Sequence, residues 1–183
     1  VATITQQLDS LSPHKQKEIL VLLDELSDAR GRIDAQNEFL PFVRKMWPAF
    51  IEGSHHKIMA DAFNRIADGS LKRLIVNMPP RHTKSEFASN FFPAWYLGRY
   101  PDRKVIQTAH TAELAVGFGR KVRNLVGSSE YATIFPGVAL SADSKAAGRW
   151  NTSSDGDYFA IGVGGAVTGK GADILIVDDP HSE

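Results

Sequence analysis

The sequence predicts an α/β fold with a mainly parallel sheet, and the order of its apolar patterns is the main reason. Three short apolar runs suit buried strands: 71–78, 104–109 and 173–177. Segments with apolar residues at helical spacing lie before and between these runs: 55–67, 85–97 and 111–126. Because strands alternate with helices, the strands are expected to be parallel. The composition, 43% hydrophobic and 23% charged, is that of a globular chain.

The N-terminal part predicts a separate helical segment. Ser12 followed by proline is a typical helix start, and several leucines follow at near-helical spacing. The helix is expected to end near Gly31, and the proline-interrupted stretch 34–50 is expected to be a packed connector. We therefore divide the chain into a helical segment, 1–35, and an α/β domain, 36–183.

Two further stretches carry local expectations. Pro93 is expected to kink or break the helix over 85–97, because proline lacks the backbone N–H group that a helix interior needs. Residues 127–172 are rich in glycine, serine and aspartate. They are expected to form loops with short strands such as 158–161.

Composition excludes several classes of protein. The chain has no cysteine, which rules out disulfides and cysteine-ligated metal sites. Its six histidines have no spacing that favours a metal site. No apolar run approaches the roughly 18 residues that a membrane-spanning helix needs. We therefore expect a soluble, intracellular protein without a membrane partner.

The formal net charge is zero, but the charges are unevenly distributed. Residues 72–123 carry 10 basic and 3 acidic side chains, whereas residues 124–183 carry 3 and 8. A clustered basic segment suggests contact with phosphates or nucleic acid. Arg120, Lys121 and Arg123 are the candidate DNA-binding residues, with a solvated helix face as the alternative.

Residues 78–85, Met-Pro-Pro-Arg-His-Thr-Lys-Ser, form a candidate phosphate-binding loop between a predicted strand and a helix. Such a loop needs converging backbone N–H groups, a lysine for the phosphates and a hydroxyl for magnesium. Lys84 and Ser85 match the end of the standard motif, while Met78 and Thr83 stand where it has glycines. An ordinary strand-to-helix turn is the alternative. The candidate nucleotide-binding residues are Pro79, Pro80, Arg81, His82, Thr83, Lys84 and Ser85.

A pair of carboxylates follows the last predicted strand. The apolar run 174–177 leads directly into Asp178 and Asp179. In a nucleotide hydrolase the first carboxylate would hold magnesium and the second would orient the attacking water. An aspartate-rich turn before Pro180 is the alternative.

These motifs together resemble the N-terminal ATPase of the large terminase subunit of tailed phages. The loop over 78–85, the segment Thr-Gly-Lys-Gly-Ala-Asp at 168–173 and the run Ile-Leu-Ile-Val-Asp-Asp-Pro at 174–180 carry the resemblance. Trp47, the His55-His56 pair and residues 69–73 also match the family's pattern, so the resemblance covers about residues 36–183.

The resemblance implies a three-layer P-loop ATPase domain of the additional-strand catalytic-glutamate class. In that class a further strand is expected between the P-loop strand and the strand that carries the paired carboxylates, called Walker B. The chain is therefore expected to be truncated after that strand and to lack the family's nuclease domain.

The resemblance also implies roles for individual residues. Lys84 would contact the phosphates, Ser85 and Asp178 would hold Mg²⁺, and Asp179 would be the catalytic carboxylate. The family more often has glutamate at that position, and Glu183 is the second candidate. Further roles follow for residues outside this group: Arg81 as a sensor of the γ-phosphate, Lys170 as a finger that reaches into the neighbouring subunit, and His56 and Trp47 at the adenine. A core or capping role for His56 and Trp47 is the alternative.

The implied activity is ATP hydrolysis with Mg²⁺ that drives double-stranded DNA into a procapsid. The expected partners are the DNA, the portal or procapsid, the small terminase subunit and other copies of the chain in a ring, in the host cell cytoplasm. Two other functions stay open. One is a helicase-like P-loop ATPase, and the other is a DNA- or capsid-docking module without turnover.

Overall fold

A five-stranded mixed sheet with helices packed against it forms the centre of the computed structural model, which describes residues 11–167 and 169–181. The strands are β1 Lys104–Ala109, β2 Leu140–Lys145, β3 Arg149–Thr152, β4 Asp157–Gly162 and β5 Ile174–Asp178. Their order across the sheet is β2-β3-β4-β1-β5, so β1 lies near the centre and β5 at one edge.

The sheet is only partly parallel. β1 pairs in parallel with β4 and with β5, whereas β3 is antiparallel to both β2 and β4. The mixed α/β class is therefore confirmed, but parallel pairing is limited to three of the five strands. The difference arises within residues 127–172, where connections of only a few residues join β2 to β3 and β3 to β4. Such short connections permit antiparallel neighbours and exclude a parallel crossover.

The helices precede the sheet or pack on it. They are α1 Pro13–Asn37, α2 Phe39–Met46, α3 Ser54–Ala67, a π-helix Glu86–Phe91, α4 Phe92–Arg99, α5 Ala112–Val126 and α6 Ser129–Ile134. The expected starts of α1 and α5 are confirmed: Ser12 caps α1, and the Thr111 hydroxyl accepts a bond from Leu114 N at 3.1 Å. Within the described residues, no helix combines the length and the apolarity needed to cross a membrane.

Two expectations about the first 50 residues are wrong. α1 continues through Gly31 to Asn37, because one glycine costs a helix only about 1 kcal/mol and the following turn buries Ala35 completely. The expected connector contains the regular helix α2. Pro41 is compatible with this helix because it lies in the first turn, where a missing N–H group breaks no helical bond.

An aromatic core joins the helices to one another. Phe39 of α2 contacts the rings of Phe63, Phe87, Phe92 and Trp95 in edge-to-face geometry, with centroids 5.2–6.0 Å apart. Each of these pairs adds to the free energy gained by burying the rings. The core thereby fixes the π-helix and α3 against each other, and the candidate loop over 79–85 connects to the first residue of that π-helix.

The predicted strand over 71–78 is wrong. These residues are not part of the sheet: the side chain of Ile75 is 86% exposed, and within the described chain residues 72–79 make no backbone hydrogen bond to another backbone group. They run beside β5 but are separated from it by a groove of about 810 Å³. The apolar run has the composition of a buried strand. A strand also needs a neighbouring strand to which its backbone can hydrogen-bond, and no described segment pairs with residues 71–78.

The interruption expected at Pro93 has a specific form. The π-helix Glu86–Phe91 leads directly into α4, and Pro93 lies in the first turn of α4. Because the residues before Pro93 are themselves helical, Pro93 lies inside a continuous helical run, and its missing N–H group leaves the preceding turn without that hydrogen bond. π-Helical turns are rare and occur frequently at functional sites. Here the π-helix begins where the candidate phosphate loop ends.

Candidate nucleotide-binding site

The fold brings Lys84 to the paired carboxylates, which lie about 95 positions further along the chain. Lys84 Nζ lies 2.6 Å from Asp179 Oδ1 and 3.8 Å from Asp178 Oδ1. The bond to Asp179 raises the pKa of Lys84, although partial burial opposes the shift. The predicted loop and the predicted carboxylate pair therefore form one cluster at the end of β5.

The two carboxylates differ in their surroundings. The side chain of Asp178 is 7% exposed, whereas that of Asp179 is 66% exposed. Asp178 is the last residue of β5 and points into the protein. Asp179 leaves the strand with φ of 41°, an uncommon value for a residue other than glycine, and its backbone oxygen accepts a bond from His110 N. This turn directs the second carboxylate towards solvent and Lys84.

Ser89 holds the buried carboxylate. Its hydroxyl donates a bond of 2.8 Å to Asp178 Oδ2, and Ser89 itself is completely buried on the π-helix. Sequence reasoning missed Ser89. The available signal was a serine and an asparagine inside an aromatic-rich run, Phe-Ala-Ser-Asn-Phe-Phe at 87–92, where a buried hydroxyl needs a partner.

The backbone of the loop has the shape expected of an anion-binding concavity. Arg81 and Thr83 have positive φ values of 64° and 62°, and His82 between them does not. Alternating backbone conformations of this kind turn successive N–H groups towards one side. Thr83 stands where the standard motif has glycine, and it adopts the left-handed conformation that glycine favours. For a β-branched residue this costs about 1–3 kcal/mol, so other contacts must hold it.

Local hydrogen bonds support the loop. His82 Nδ1 lies 2.9 Å from the Pro80 carbonyl oxygen, and the Thr83 hydroxyl donates to the His82 carbonyl at 2.6 Å. Phe87 N donates to the Thr83 carbonyl oxygen at 2.9 Å, which joins the loop to the first turn of the π-helix. Pro79 lies at the start of the loop, shortly after residues 72–77, which line the groove beside β5.

His56 and Trp47 lie in the aromatic layer behind the loop. His56 is 4% exposed and packs against Phe50 and Phe87, with each centroid 4.7 Å away. Trp47 stacks on Phe91 at 5.7 Å with an interplanar angle of 10°. Both residues therefore make the contacts of core residues. A core role is the alternative to a role at the adenine.

The remaining candidates form no hydrogen bond or ion pair with this cluster among the described residues. Arg81 is exposed on the loop, and Ser85 lies at the N-terminal end of the π-helix without a side-chain capping bond. Lys170 Nζ lies 3.8 Å from the centroid of the Phe159 ring, and within the described residues no ion pair joins it to the loop. Glu183 lies outside the described residues.

The basic cluster of α5 lies beside the π-helix. Arg120 and Lys121 are exposed and Arg123 is half-buried. Lys121 Nζ forms an ion pair of 2.9 Å with Glu86 Oε1. Glu86 is the residue after Ser85, so this ion pair connects the cluster to the end of the phosphate loop.

The donor set fits a magnesium ion that is bound together with a nucleotide. Within residues 11–167 and 169–181, no group of three or more histidine or acidic side chains could hold a metal by itself. Mg²⁺ bound with phosphates, however, usually takes only one or two protein oxygens and completes its shell with water and phosphate. Ser85 follows Lys84 in the chain and Asp178 Oδ1 lies 3.8 Å from Lys84 Nζ, so the Ser85 hydroxyl and the Asp178 carboxylate would supply such oxygens beside the loop.

Comparison with known proteins gives no relative from which a function could be transferred: no family model matches the chain, and neither a curated protein nor a solved structure is significantly similar to it. The functional assignment therefore depends on the residues of the loop, the carboxylate pair and the geometry that joins them.

Proposed function

We propose that this chain binds and hydrolyses ATP with Mg²⁺, and that it is the motor domain of a phage large terminase subunit. The observation that supports the proposal most strongly is the position of the Lys84 ammonium group beside Asp178 and Asp179. A loop lysine next to carboxylates at a strand end is the arrangement that P-loop ATPases use for phosphoryl transfer.

The chemistry follows from the surroundings of each group. The backbone N–H groups of the loop bind the phosphate oxygens, and Lys84 neutralises charge on the transferred phosphoryl group. Ser85 and Asp178 would hold Mg²⁺, which supplies charge neutralisation at the phosphates when it is bound. Asp179 is exposed and therefore accessible to water, which it orients for attack.

Nucleotide binding must compete with an internal ion pair. Asp179 already neutralises the Lys84 ammonium group at 2.6 Å. When Lys84 turns to a phosphate, the Asp179 carboxylate is released and becomes available to accept a bond from water. The same displacement would therefore prepare both residues for hydrolysis.

The more specific assignment to terminases rests on three features. The loop sequence at 78–85 and the segments 168–173 and 174–180 resemble that family. The groove between residues 72–77 and β5 lies where the resemblance expects a further strand. The exposed basic side chains of α5 offer sequence-independent contacts to DNA phosphates. The corresponding partners are double-stranded DNA, the portal or procapsid, the small subunit and a ring of identical subunits.

A docking module without turnover is the second candidate, and the Lys84–Asp179 ion pair also favours it. In that module the lysine charge is satisfied within the chain, and the loop serves only as a rigid surface. A helicase-like ATPase would use the same cluster, so coupling to a partner, and not nucleotide binding, separates it from a terminase.

The first test is calorimetric binding of ATP with Mg²⁺ to the full chain and to Lys84→Ala. We expect the variant to lose at least about tenfold in affinity, because a charge-assisted contact to phosphate is worth about 1.5–3 kcal/mol. Lys57→Ala is the matched control, since Lys57 is an exposed lysine of α3 that pairs with Glu52. Equal affinity of Lys84→Ala and the unmodified chain would contradict the proposed site.

Turnover and coupling separate the alternatives. Binding without hydrolysis, measured as phosphate release at saturating ATP, would favour the docking module. Hydrolysis that DNA stimulates but procapsids do not would favour a helicase-like ATPase over a terminase.

A further inference from the structure

We propose that His56 is a positioning residue that fixes the phosphate-binding loop through Thr83. The inference rests on the proposed function of the loop, but it concerns a residue of α3 that does not itself belong to the loop. His56 Nε2 lies 2.7 Å from Thr83 Oγ1, across 27 positions of sequence. This contact connects a buried helix to the one loop residue that combines a branched side chain with a left-handed backbone.

The hydrogen-bond partners determine which ring nitrogen carries the proton. Gly53 N donates to His56 Nδ1 at 2.8 Å, so Nδ1 must be an acceptor. In a neutral imidazole the proton then resides on Nε2, which donates to Thr83 Oγ1. The Thr83 hydroxyl donates in turn to the His82 carbonyl at 2.6 Å. The first bond lies at the start of α3, the second joins α3 to the loop, and the third lies within the loop.

The other neighbours of His56 hold the ring in place. Phe50 and Phe87 pack against it, and Phe87 lies in the π-helix that follows the loop. The Gly53 bond attaches the ring to the N-terminal end of α3. His56 therefore contacts both Thr83 and Phe87, and it sets the distance between the loop and the π-helix that the loop enters.

This support matters because Thr83 prefers other backbone conformations. A β-branched residue at φ of 62° tends to return to the extended or right-handed helical region. That change would rotate the adjoining peptide groups and turn their N–H groups away from the phosphate site. The bond from His56 opposes it by holding the Thr83 hydroxyl.

His56 acts through Thr83 and not on a nucleotide. Both of its ring nitrogens are engaged by protein groups, and only 4% of the residue is exposed. A nucleotide that contacted the ring directly would have to displace one of these bonds. The geometry therefore assigns His56 to loop positioning.

Three substitutions separate the two bonds of the ring. In His56→Asn the side-chain oxygen can still accept from Gly53, but the amide is too short to reach Thr83. His56→Gln places an amide N–H group near the position of Nε2 and serves as the conservative rescue. Thr83→Val removes the hydroxyl from the loop side with little change of shape. His14→Asn is the matched control, since His14 is an exposed histidine of α1, far along the chain from the loop.

The experiment measures hydrogen exchange of the amides at 81–85 in the nucleotide-free full chain, together with the affinity for ATP and Mg²⁺. We expect His56→Asn and Thr83→Val each to speed exchange and to weaken affinity about two- to tenfold. The double variant should be no worse than Thr83→Val alone, because Thr83→Val already removes the bond from His56 together with the bond to the His82 carbonyl. His56→Gln should recover part of the loss, and His14→Asn should resemble the unmodified chain.

The outcomes decide separately on the two proposals. Unchanged loop exchange in His56→Asn, or fully additive effects in the double variant, would overturn the positioning role. If His56→Asn fails to fold, Thr83→Val carries the same test from the other side of the bond. If the unmodified chain does not bind ATP, the proposed function fails, while the exchange data still decide whether His56 holds the loop.

Discussion

Lys84 Nζ and Asp179 Oδ1 are 2.6 Å apart, so the lysine of the loop is already paired with a carboxylate of the same chain. The neighbouring Asp178 lies further away, at 3.8 Å, and is bound instead by Ser89. The two adjacent aspartates therefore have different partners, and substitutions at the two positions should have different consequences.

Asp179→Asn should preserve binding of ATP and Mg²⁺ and abolish turnover. The amide cannot take up a proton from the attacking water, and its loss of charge releases Lys84 for the phosphates. Asp178→Asn should weaken the magnesium-dependent part of binding. Calorimetry with and without Mg²⁺, and phosphate release at saturating ATP, measure the two effects. If Asp179→Asn keeps full activity and Glu183→Gln loses it, then Glu183 positions the water.

Ser89→Ala should lower the free energy of unfolding by about 1–3 kcal/mol, because the buried Asp178 carboxylate loses its hydroxyl donor. Urea unfolding followed by circular dichroism measures the change. Ser129→Ala is the control, since its hydroxyl bonds only to the exposed Glu130 and its loss should have little effect. An unfolding free energy equal to that of the unmodified chain would show that Ser89 does not support Asp178.

Stability should fall as the pH drops below about 6.5, and part of this fall should depend on His56. Burial lowers the pKa of His56 from its usual 6.5, the adjacent His55 lowers it further, and Glu52 opposes the shift. Below pH 6.5 His56 becomes protonated in the unfolded chain while the folded imidazole is still neutral. Protonation therefore stabilises the unfolded state, and the free energy of unfolding falls. The fall should end once the pH passes the lowered pKa of the folded state.

The measurement for this prediction is the unfolding free energy between pH 5 and pH 8 for the unmodified chain and for His56→Asn. The variant should show a smaller dependence on pH in the lower half of this range. Two identical profiles would mean that the titration of other groups accounts for the whole dependence.

Reversal of charge at Arg120, Lys121 and Arg123 should reduce DNA-stimulated ATP hydrolysis while basal ATP binding is retained. Contacts to DNA phosphates are independent of sequence and weaken with salt, so the response of the unmodified protein should also decline as salt is added. Lys121 pairs with Glu86, and Glu86→Gln is therefore the control for loss of that ion pair alone. An unaltered DNA response in the triple variant would identify the cluster as a solvated helix face.

The sequence predicts the elements that local patterns determine. The strand at 104–109 and the helix capped by Thr111 lie where their spacing and capping residue place them. For Thr83 the sequence indicates only that it stands where the motif has glycine, and the structure shows that Thr83 adopts the left-handed conformation. Each of these features depends on neighbouring residues of the chain.

Features that depend on distant partners could not be predicted in the same way. Residues 71–78 have the composition of a strand, but a strand forms only when another strand lies beside it. A local apolar pattern does not show whether such a neighbouring strand exists. Ser89 and His56 acquire their importance only when the fold brings Asp178 and Thr83 to them. A lone serine in an aromatic run indicates a buried polar contact without revealing its partner.

The open edge of β5 has a consequence for the behaviour of the purified chain in solution. Leu175 and Val177 are 64% and 52% exposed on β5, which lies at the edge of the sheet that the described residues form. Edge strands that carry exposed apolar residues can pair with strands of other molecules, and charged side chains suppress such pairing. The chain should therefore aggregate increasingly as its concentration rises, and lysine in place of Leu175 should keep it dispersed.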